Sequence, residues 1–337
     1  MRRGLLACLL WPLSRLYGAV AALRRHFYTA GWLPRTALAV PVLVVGNVFV
    51  GGTGKTPFTI WLVELLRAAG YTPGVISRGH GAQDMGGKRS APRTVDAGSR
   101  PQDRGDEPVL IAARTGVPVV VGRDRVAAGR ALLADHPLVD VLISDDGLQH
   151  YAMDRALEIV LFDARGGGNG WLLPAGPLRE PLSRHRDFTI VNAPRAVAGM
   201  PVDAFRMQLS GAMVERLAQR SHRMPLAVLA QTATDHGKPR IVAAAGIGNP
   251  ARFFAMLAAS GLEFTALPLP DHHDFLDQPF AGLDADIILI TEKDAVKCVG
   301  IESLRQDPRV WVVPVTATLE AGLAEQILEK LRGYPIA

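Results

Sequence analysis

At 337 residues, 48% of them apolar and 20% charged, the chain suits one large or two ordinary globular domains and is too apolar for a disordered one. A net charge of +5 and an isoelectric point of about 9.5 fit an anionic substrate, a nucleic acid or an acidic membrane surface, without choosing among them. Cys8 and Cys298, far apart and alone, exclude a disulfide framework and cysteine zinc spacing, and point to a reducing, cytosolic setting.

Residues 1–40 differ in character from the rest. Gly4 to Leu23 is nearly all apolar and is flanked by Arg2-Arg3 and Arg24-Arg25-His26. A signal peptide would want a shorter core and a small-residue cleavage site. A spanning helix is just long enough, but Pro12, Ser14 and Arg15 fall inside it. A helix lying in the membrane surface accommodates all of these, and its arginines suit anionic headgroups. The plainer alternative is an amphipathic helix packed on the domain.

Val42 to Gly70 carries the strongest local signal. An apolar, β-branched run (Val42 to Val45) reads as a buried strand, Gly51-Gly52-Thr53-Gly54-Lys55-Thr56 as a glycine-rich turn, and Pro57 to Ala69 as a helix. Strand, turn, Gly-Lys-Thr and helix are the setting of a P-loop, in which main-chain amides and a helix start hold phosphates. Lys55 would reach the β- and γ-phosphates and the Thr56 hydroxyl would ligate Mg²⁺. The strict pattern wants glycine where Phe49 stands, so the first glycine is displaced.

A second strand, Pro73 to Ser77, ends in Ser77-Arg78-Gly79-His80-Gly81, and residues 82–104 read as a long exposed loop. Gly105-Asp106-Glu107-Pro108 then leads into a helical run, Val109 to Thr115. Asp106 and Glu107 at that junction are helix caps or catalytic carboxylates, and spacing alone does not decide. Val117 to Val121 is a third strand, followed by Gly122-Arg123-Asp124-Arg125 and a helix to about Asp135. The strand Val139 to Ser144 ends in Asp145-Asp146-Gly147-Leu148-Gln149-His150, where a P-loop protein carries its metal-binding acid.

Glu158 to Phe162 and Phe188 to Val191 are further strands. Between them Gly168 to Pro181 is an irregular, Ω-like segment in which Arg179 could meet an anion. Residues 194–225 read as a looser bridge. Past them come a strand (Arg240 to Ala245), a turn (Gly246 to Pro250) and a helix (Ala251 to Ser260), but the full dinucleotide pattern is not met. Asp271-His272-His273-Asp274-Phe275 could ligate zinc, orient a group or handle a proton, or be a surface turn. Ile287 to Ile290 ends in Thr291-Glu292-Lys293-Asp294-Ala295-Val296-Lys297, Val310 to Val315 is the last strand, and Leu319 to Leu331 a closing helix. Read loosely, Thr291-Glu292-Lys293-Asp294 would be the base-reading element of a GTPase or metallochaperone. A membrane-docked nucleotide-binding adaptor is the non-enzymatic alternative.

In order, GNVFVGGTGKTP, SRGHG, GDEPVL, VGRDR, DDGLQH, GNGWLLPAGPLREP, AGIGNP, PDHHDF and TEKDAVK span residues 46–297. With these motifs the chain closely resembles the tetraacyldisaccharide 4′-kinase family, the inner-membrane kinases of lipid A synthesis, in which the displaced P-loop glycine is usual. The resemblance implies an α/β fold: a P-loop NTPase-like, mostly parallel sheet flanked by helices (41–205), a linker (206–225), a smaller C-terminal α/β domain (226–337) and a membrane-associating segment (1–40). It implies transfer of the ATP γ-phosphate to the 4′-hydroxyl of a tetraacylated disaccharide 1-phosphate. Lys55 would act in catalysis, the amides of Phe49, Val50, Gly51, Gly52, Thr53, Gly54, Lys55 and Thr56 would wrap the phosphates, and Asp106 would be the general base with His272 beside it. Whether His272 or His273 faces Asp106 is open. Thr56, Glu107, Asp145 and Asp146 would hold Mg²⁺. The implied partners are the lipid disaccharide and the anionic cytoplasmic face of the inner membrane, with no nucleic acid, and the implied state is a monomer.

Overall fold

The structure is a computed structural model; residues 3–79, 91–96, 98–229, 231 and 238–334 are described. His80, Gly81 and residues 82–90 of the expected loop lie outside them. Helix α1 (Leu5–Thr29) is longer than the apolar run that predicts it. Leu6, Leu9, Leu13, Leu16, Val20 and Leu23 recur at three-to-four spacing and are all exposed. Ser14 is the one buried residue of the helix. The helix is long and apolar enough to cross a membrane by length and composition.

Nine strands form the larger sheet. The chain supplies β1 (Val42–Gly46), α2 (Lys55–Ala68), β2 (Pro73–Ser77), β3 (Arg93–Val95), α3 (Pro101–Arg104), α4 (Asp106–Thr115), β4 (Val119–Val121), α5 (Arg125–Asp135), β5 (Val141–Asp145), β6 (Leu157–Asp163), β7 (Phe188–Asn192) and β8 (Phe205–Ser210). It then leaves for a second sheet built from β9 (Met213–Arg216), β10 (Arg223–Pro225), β11 (Ile241–Ala245), β12 (Thr265–Pro268), β13 (Ile287–Thr291) and β14 (Val310–Val313). That sheet carries α6 (Leu226–Leu229), α7 (Pro250–Ala259), α8 (Glu292–Cys298) and α9 (Glu302–Arg305). Finally β15 (Thr316–Leu319) and α10 (Leu323–Arg332) return to the first sheet.

The larger sheet runs β15-β8-β7-β6-β1-β5-β2-β4-β3, parallel except for its two edge strands. Covered on both faces, β1, β2, β5 and β7 are buried at every residue and mostly apolar, as parallel strands are. Leu43 and Val45 point into the layer that holds α2, α4 and α10, whereas Val42 and Val44 point into the layer on the α5 side. The smaller sheet runs β10-β9-β14-β13-β11-β12, with β9 and β10 antiparallel. It has its own two core layers, around Leu289 and Ile288.

Three expectations change. The segment expected to be a linker, 206–225, carries strands β8, β9 and β10, half-exposed strands whose polar outer residues hide the pattern. Part of the expected loop 82–104 is strand β3 and the short helix α3. The expected run 226–337 is split, because Thr316–Leu319 is a strand of the larger sheet and the closing helix starts only after Gly322 (φ 88°). Ala317, Leu323, Ile327 and Leu331 then bury against the nucleotide-side core.

Candidate active site

The site lies at the carboxyl end of the larger sheet. β1 is flanked by β5 and β6, and Val45 is in register with Asp145, so the glycine turn and the acidic turn leave the sheet side by side. Helix α2 begins at Lys55, two residues earlier than expected, with Gly54 at φ 96° before it. A Cβ on Gly54 would stand 2.3 Å from Asn192 Nδ2, so only glycine fits there. Asn192 Nδ2 in turn donates to Thr53 O at 2.9 Å. From inside the turn, Asn47 Nδ2 donates to Phe49 O (2.7 Å) and Gly51 O (2.8 Å), and Lys55 Nζ donates to Asn47 Oδ1 at 3.2 Å.

Phe49 occupies the position of the missing glycine because its ring is core. It is 2% exposed, bridges to Leu178 and lies under the Arg165 guanidinium at 4.3 Å. Val50 N donates to Pro177 O at 2.9 Å, so that amide, expected to face a phosphate, is already committed. The amides of Gly51, Gly52, Thr53, Gly54, Lys55 and Thr56 donate to no acceptor among the described residues. That is an anion-binding arrangement, set on a helix N-terminus.

Asp145 is the last residue of β5 and is fully buried, with Thr59 Oγ1 and Ser77 Oγ at 3.4 and 3.5 Å from its two oxygens. Burial, helped by the charge of Glu107, pushes its carboxyl up to about 7. Asp146 (φ 52°) is pushed up by burial too, but Lys55 at 3.5 Å and Arg179 at 3.6 Å outweigh that and hold it below the ordinary range. Burial also acts against Glu107, yet Lys293, at 3.3 Å, and Lys55 keep it lowered. Arg125 of the VGRDR motif is internal. It donates to Gly122 O and to Asp146 O and so shapes the acidic turn.

Asp106 opens α4 after Gly105 (φ 92°) and caps nothing with its side chain. Its Oδ2 stands 3.1 Å from His272 Nδ1. Of the two histidines left open, it is therefore His272 that meets the carboxylate, from a turn on the smaller sheet. His272 itself has φ 60°, and its N–H donates to Gly246 O. Pro101, Gln102, Asp106, His272, His273, Asp274 and Lys297 line a cavity of about 340 Å³. His273, half-buried, and the exposed Asp274 and Asp277 converge beside the cavity, with no second feature among the described residues pointing to a metal.

Thr291-Glu292-Lys293-Asp294, loosely read as a base-reading element, is the start of a helix. Thr291 Oγ1 accepts from Asp294 N, so the tetrapeptide starts helix α8, a helix the sequence analysis missed although Ser/Thr-x-x-Asp/Glu is a cap pattern. Asp294 is fully buried and already accepts from Gly246 N and Thr291 Oγ1. Glu292 pairs with Arg114 (2.7 Å) and Arg220 (2.9 Å), and Lys293 with Glu107, so α8 binds α4 across the two sheets.

The irregular 168–181 segment ties three parts together. Ser14 Oγ and Tyr17 OH of α1 donate to Leu172 O and Arg179 O, while Arg179 N donates to Val48 O beside the glycine turn. Its Glu180, 3% exposed, accepts from Gln149 Nε2, Tyr151 OH and Arg184 Nε. Asn47, Arg165, Asn192 and Arg252, whose Nη2 donates to Asn192 O at 3.5 Å, surround the glycine turn, and the sequence analysis assigned none of them to the site. Only Asn47 carried a signal, as a polar residue inside a strand-to-glycine junction.

With this geometry in place, the comparisons with known proteins are specific. The sequence profile of tetraacyldisaccharide-1-P 4′-kinase (LpxK) matches residues 6–332. Curated proteins named tetraacyldisaccharide 4′-kinase match at 60% identity in Janthinobacterium sp. (strain Marseille) and 58% in Herminiimonas arsenicoxydans, each over 100% of this chain and 95% of the relative. A crystal structure of LpxK from Aquifex aeolicus, described as an "apo" form in complex with ATP, superposes with a TM-score of 0.78 at 29% identity. It covers 98% of this chain and 99% of that one.

Proposed function

The chain belongs to the tetraacyldisaccharide-1-P 4′-kinase family, and on that premise we propose that it transfers the ATP γ-phosphoryl group to the 4′-hydroxyl of a tetraacylated glucosamine disaccharide 1-phosphate, a step of lipid A synthesis. The observation that carries the reading is the carboxylate–imidazole pair, Asp106 with His272 at 3.1 Å, beside a glycine turn with uncommitted amides. Asp106 accepts the hydroxyl proton as the sugar oxygen bonds to phosphorus and the bond to the leaving ADP breaks. His272 holds the carboxylate in place through Nδ1. In a loose phosphoryl-transfer transition state the proton can leave late, so a carboxylate suffices. Lys55 and the amides of Gly51 to Thr56 neutralise and align the phosphates, which supplies most of the acceleration.

Mg²⁺ fits the residues present. Glu107, Asp145 and Asp146 with the Thr56 hydroxyl are hard oxygen donors, and the burial that, with the charge of Glu107, lifts Asp145 to about 7 is what a divalent cation would offset. When bound, it would neutralise charge on the phosphates. The exposed apolar stripe of α1 supports docking on the cytoplasmic face of an anionic membrane, where an acylated acceptor resides. The test is transfer of label from γ-labelled ATP, with Mg²⁺, to the disaccharide 1-phosphate in mixed micelles. Labelled product from ATP, and little from GTP, is expected; no transfer by pure, folded protein overturns the reading.

A further inference from the structure

From the contacts beneath the Asp106–His272 pair we infer that Lys297, the last residue of the TEKDAVK motif, is a positioning residue that holds the Asp106 carboxylate aimed at the acceptor. The inference rests on Asp106 being the base. Lys297 is 4% exposed, and its ammonium lies 3.9 Å from Asp106 Oδ2 and 3.0 Å from Asp294 Oδ1, over the ring of Phe275 at 5.2 Å. Its Nζ makes no hydrogen bond of good geometry among the described residues. A buried ammonium is costly unless it is paired, and the protein keeps this one, held by Asp294, at the floor of the cavity that Asp106 and His272 line. The arrangement makes sense if the cation, so anchored, fixes the place of the Asp106 carboxylate beside it by attraction at 3.9 Å.

The rest of the motif fixes that cation and the imidazole together. Asp294 has no exposure. One oxygen faces Lys297, while the other accepts from Thr291 Oγ1 (2.7 Å) and Gly246 N (3.0 Å). Gly246 O accepts from His272 N at 3.2 Å. One buried carboxylate therefore sets both the ammonium below Asp106 and the turn that presents His272. A Cβ on Gly246 would stand 3.0 Å from His273 Cβ and 3.1 Å from Asp294 Oδ1, so a side chain there would press on both. The charged groups facing Asp106 are Lys293, Lys297 and Asp294 on α8, Glu107 on α4, and Asp271 and His272 on the turn. Lys293 is taken by Glu107.

The experiment is a double-mutant cycle on the full chain with Lys297→Met and Asp106→Asn, read as kcat and as KM for Mg-ATP. Lys297→Met is expected to lower kcat by about 10- to 100-fold with the KM for ATP within about twofold. In the Asp106→Asn background the same substitution is expected to cost less than about threefold, because its target is gone. A merely structural lysine would cost the same in both backgrounds, and that result, like full kcat in Lys297→Met, overturns the inference. If Asp106→Asn alone keeps full kcat, the base assignment fails instead. Should Lys297→Met not fold, Asp294→Asn, which leaves the ammonium present but unanchored, is judged by the same cycle and the same criteria.

Discussion

Asp106 sits in the first turn of a helix, where unpaired backbone N–H groups favour negative charge, and an imidazole from another sheet meets it there. Asp106→Asn is therefore expected to lower kcat by about 10²- to 10⁴-fold while ATP affinity, measured by calorimetry, stays within about twofold. Asn47 acts on the other substrate. Asn47→Ala removes two hydrogen bonds that shape the glycine turn and is expected to weaken ATP binding by about tenfold, with little effect on kcat at saturation. Asp145 gives a pH signature. Its carboxyl is raised from an ordinary 3.8 to about 7, so the folded state binds a proton that the unfolded state has lost, and nucleotide-free stability falls as pH rises from about 4 to about 7. Asp145→Asn should then raise Tm at pH 8 while abolishing transfer; an unchanged or lowered Tm would contradict the burial argument. At this scale Lys55, Asp106 and Asp145 were legible because each follows a strand or opens a helix in a recognisable motif. Asn192 and Arg252 were not, because only the tertiary fold brings strand β7 and helix α7 to the glycine turn.

Among the elements, α1 presents two faces with different duties. Ser14, Tyr17 and Gly18 lie on the 168–181 segment, and a Cβ on Gly18 would meet Leu172 at 2.8 Å. The leucines of the other face touch nothing in the described protein that would bury them. Leu9→Asp with Leu13→Asp and Leu16→Asp is expected to abolish co-sedimentation with anionic vesicles, since each buried leucine contributes about 1.5–3 kcal/mol. ATP affinity should survive; vesicle binding that persists would remove the docking role of this stripe. The apolar run and its arginines announced this helix, and two-sided burial announced β1, β5 and β7. The short strands β8, β9, β10 and β15 escaped notice because a half-exposed strand of three to six residues mixes polar and apolar positions as a loop does.

For the molecule as a whole, the proposed reaction draws groups from both sheets: the glycine turn and Asp106 from the larger, His272 and Lys297 from the smaller. The charge pairs Arg114–Glu292 and Glu107–Lys293 join them through α4 and α8. Sequence order suggested one unit following another, and only pairing in space reveals that the chain goes out and comes back. The outward strand β8 and the returning strand β15 are neighbours, with Ser210 paired to Thr316. The smaller sheet thus joins the larger through two adjacent strands, like a door on a double-leaved hinge, latched by the α4–α8 charge pairs that keep the imidazole at the carboxylate. Because the returning leaf also completes the larger sheet, trimming the C-terminal end at residue 315 would unhinge the door and strip one edge from the nucleotide half together.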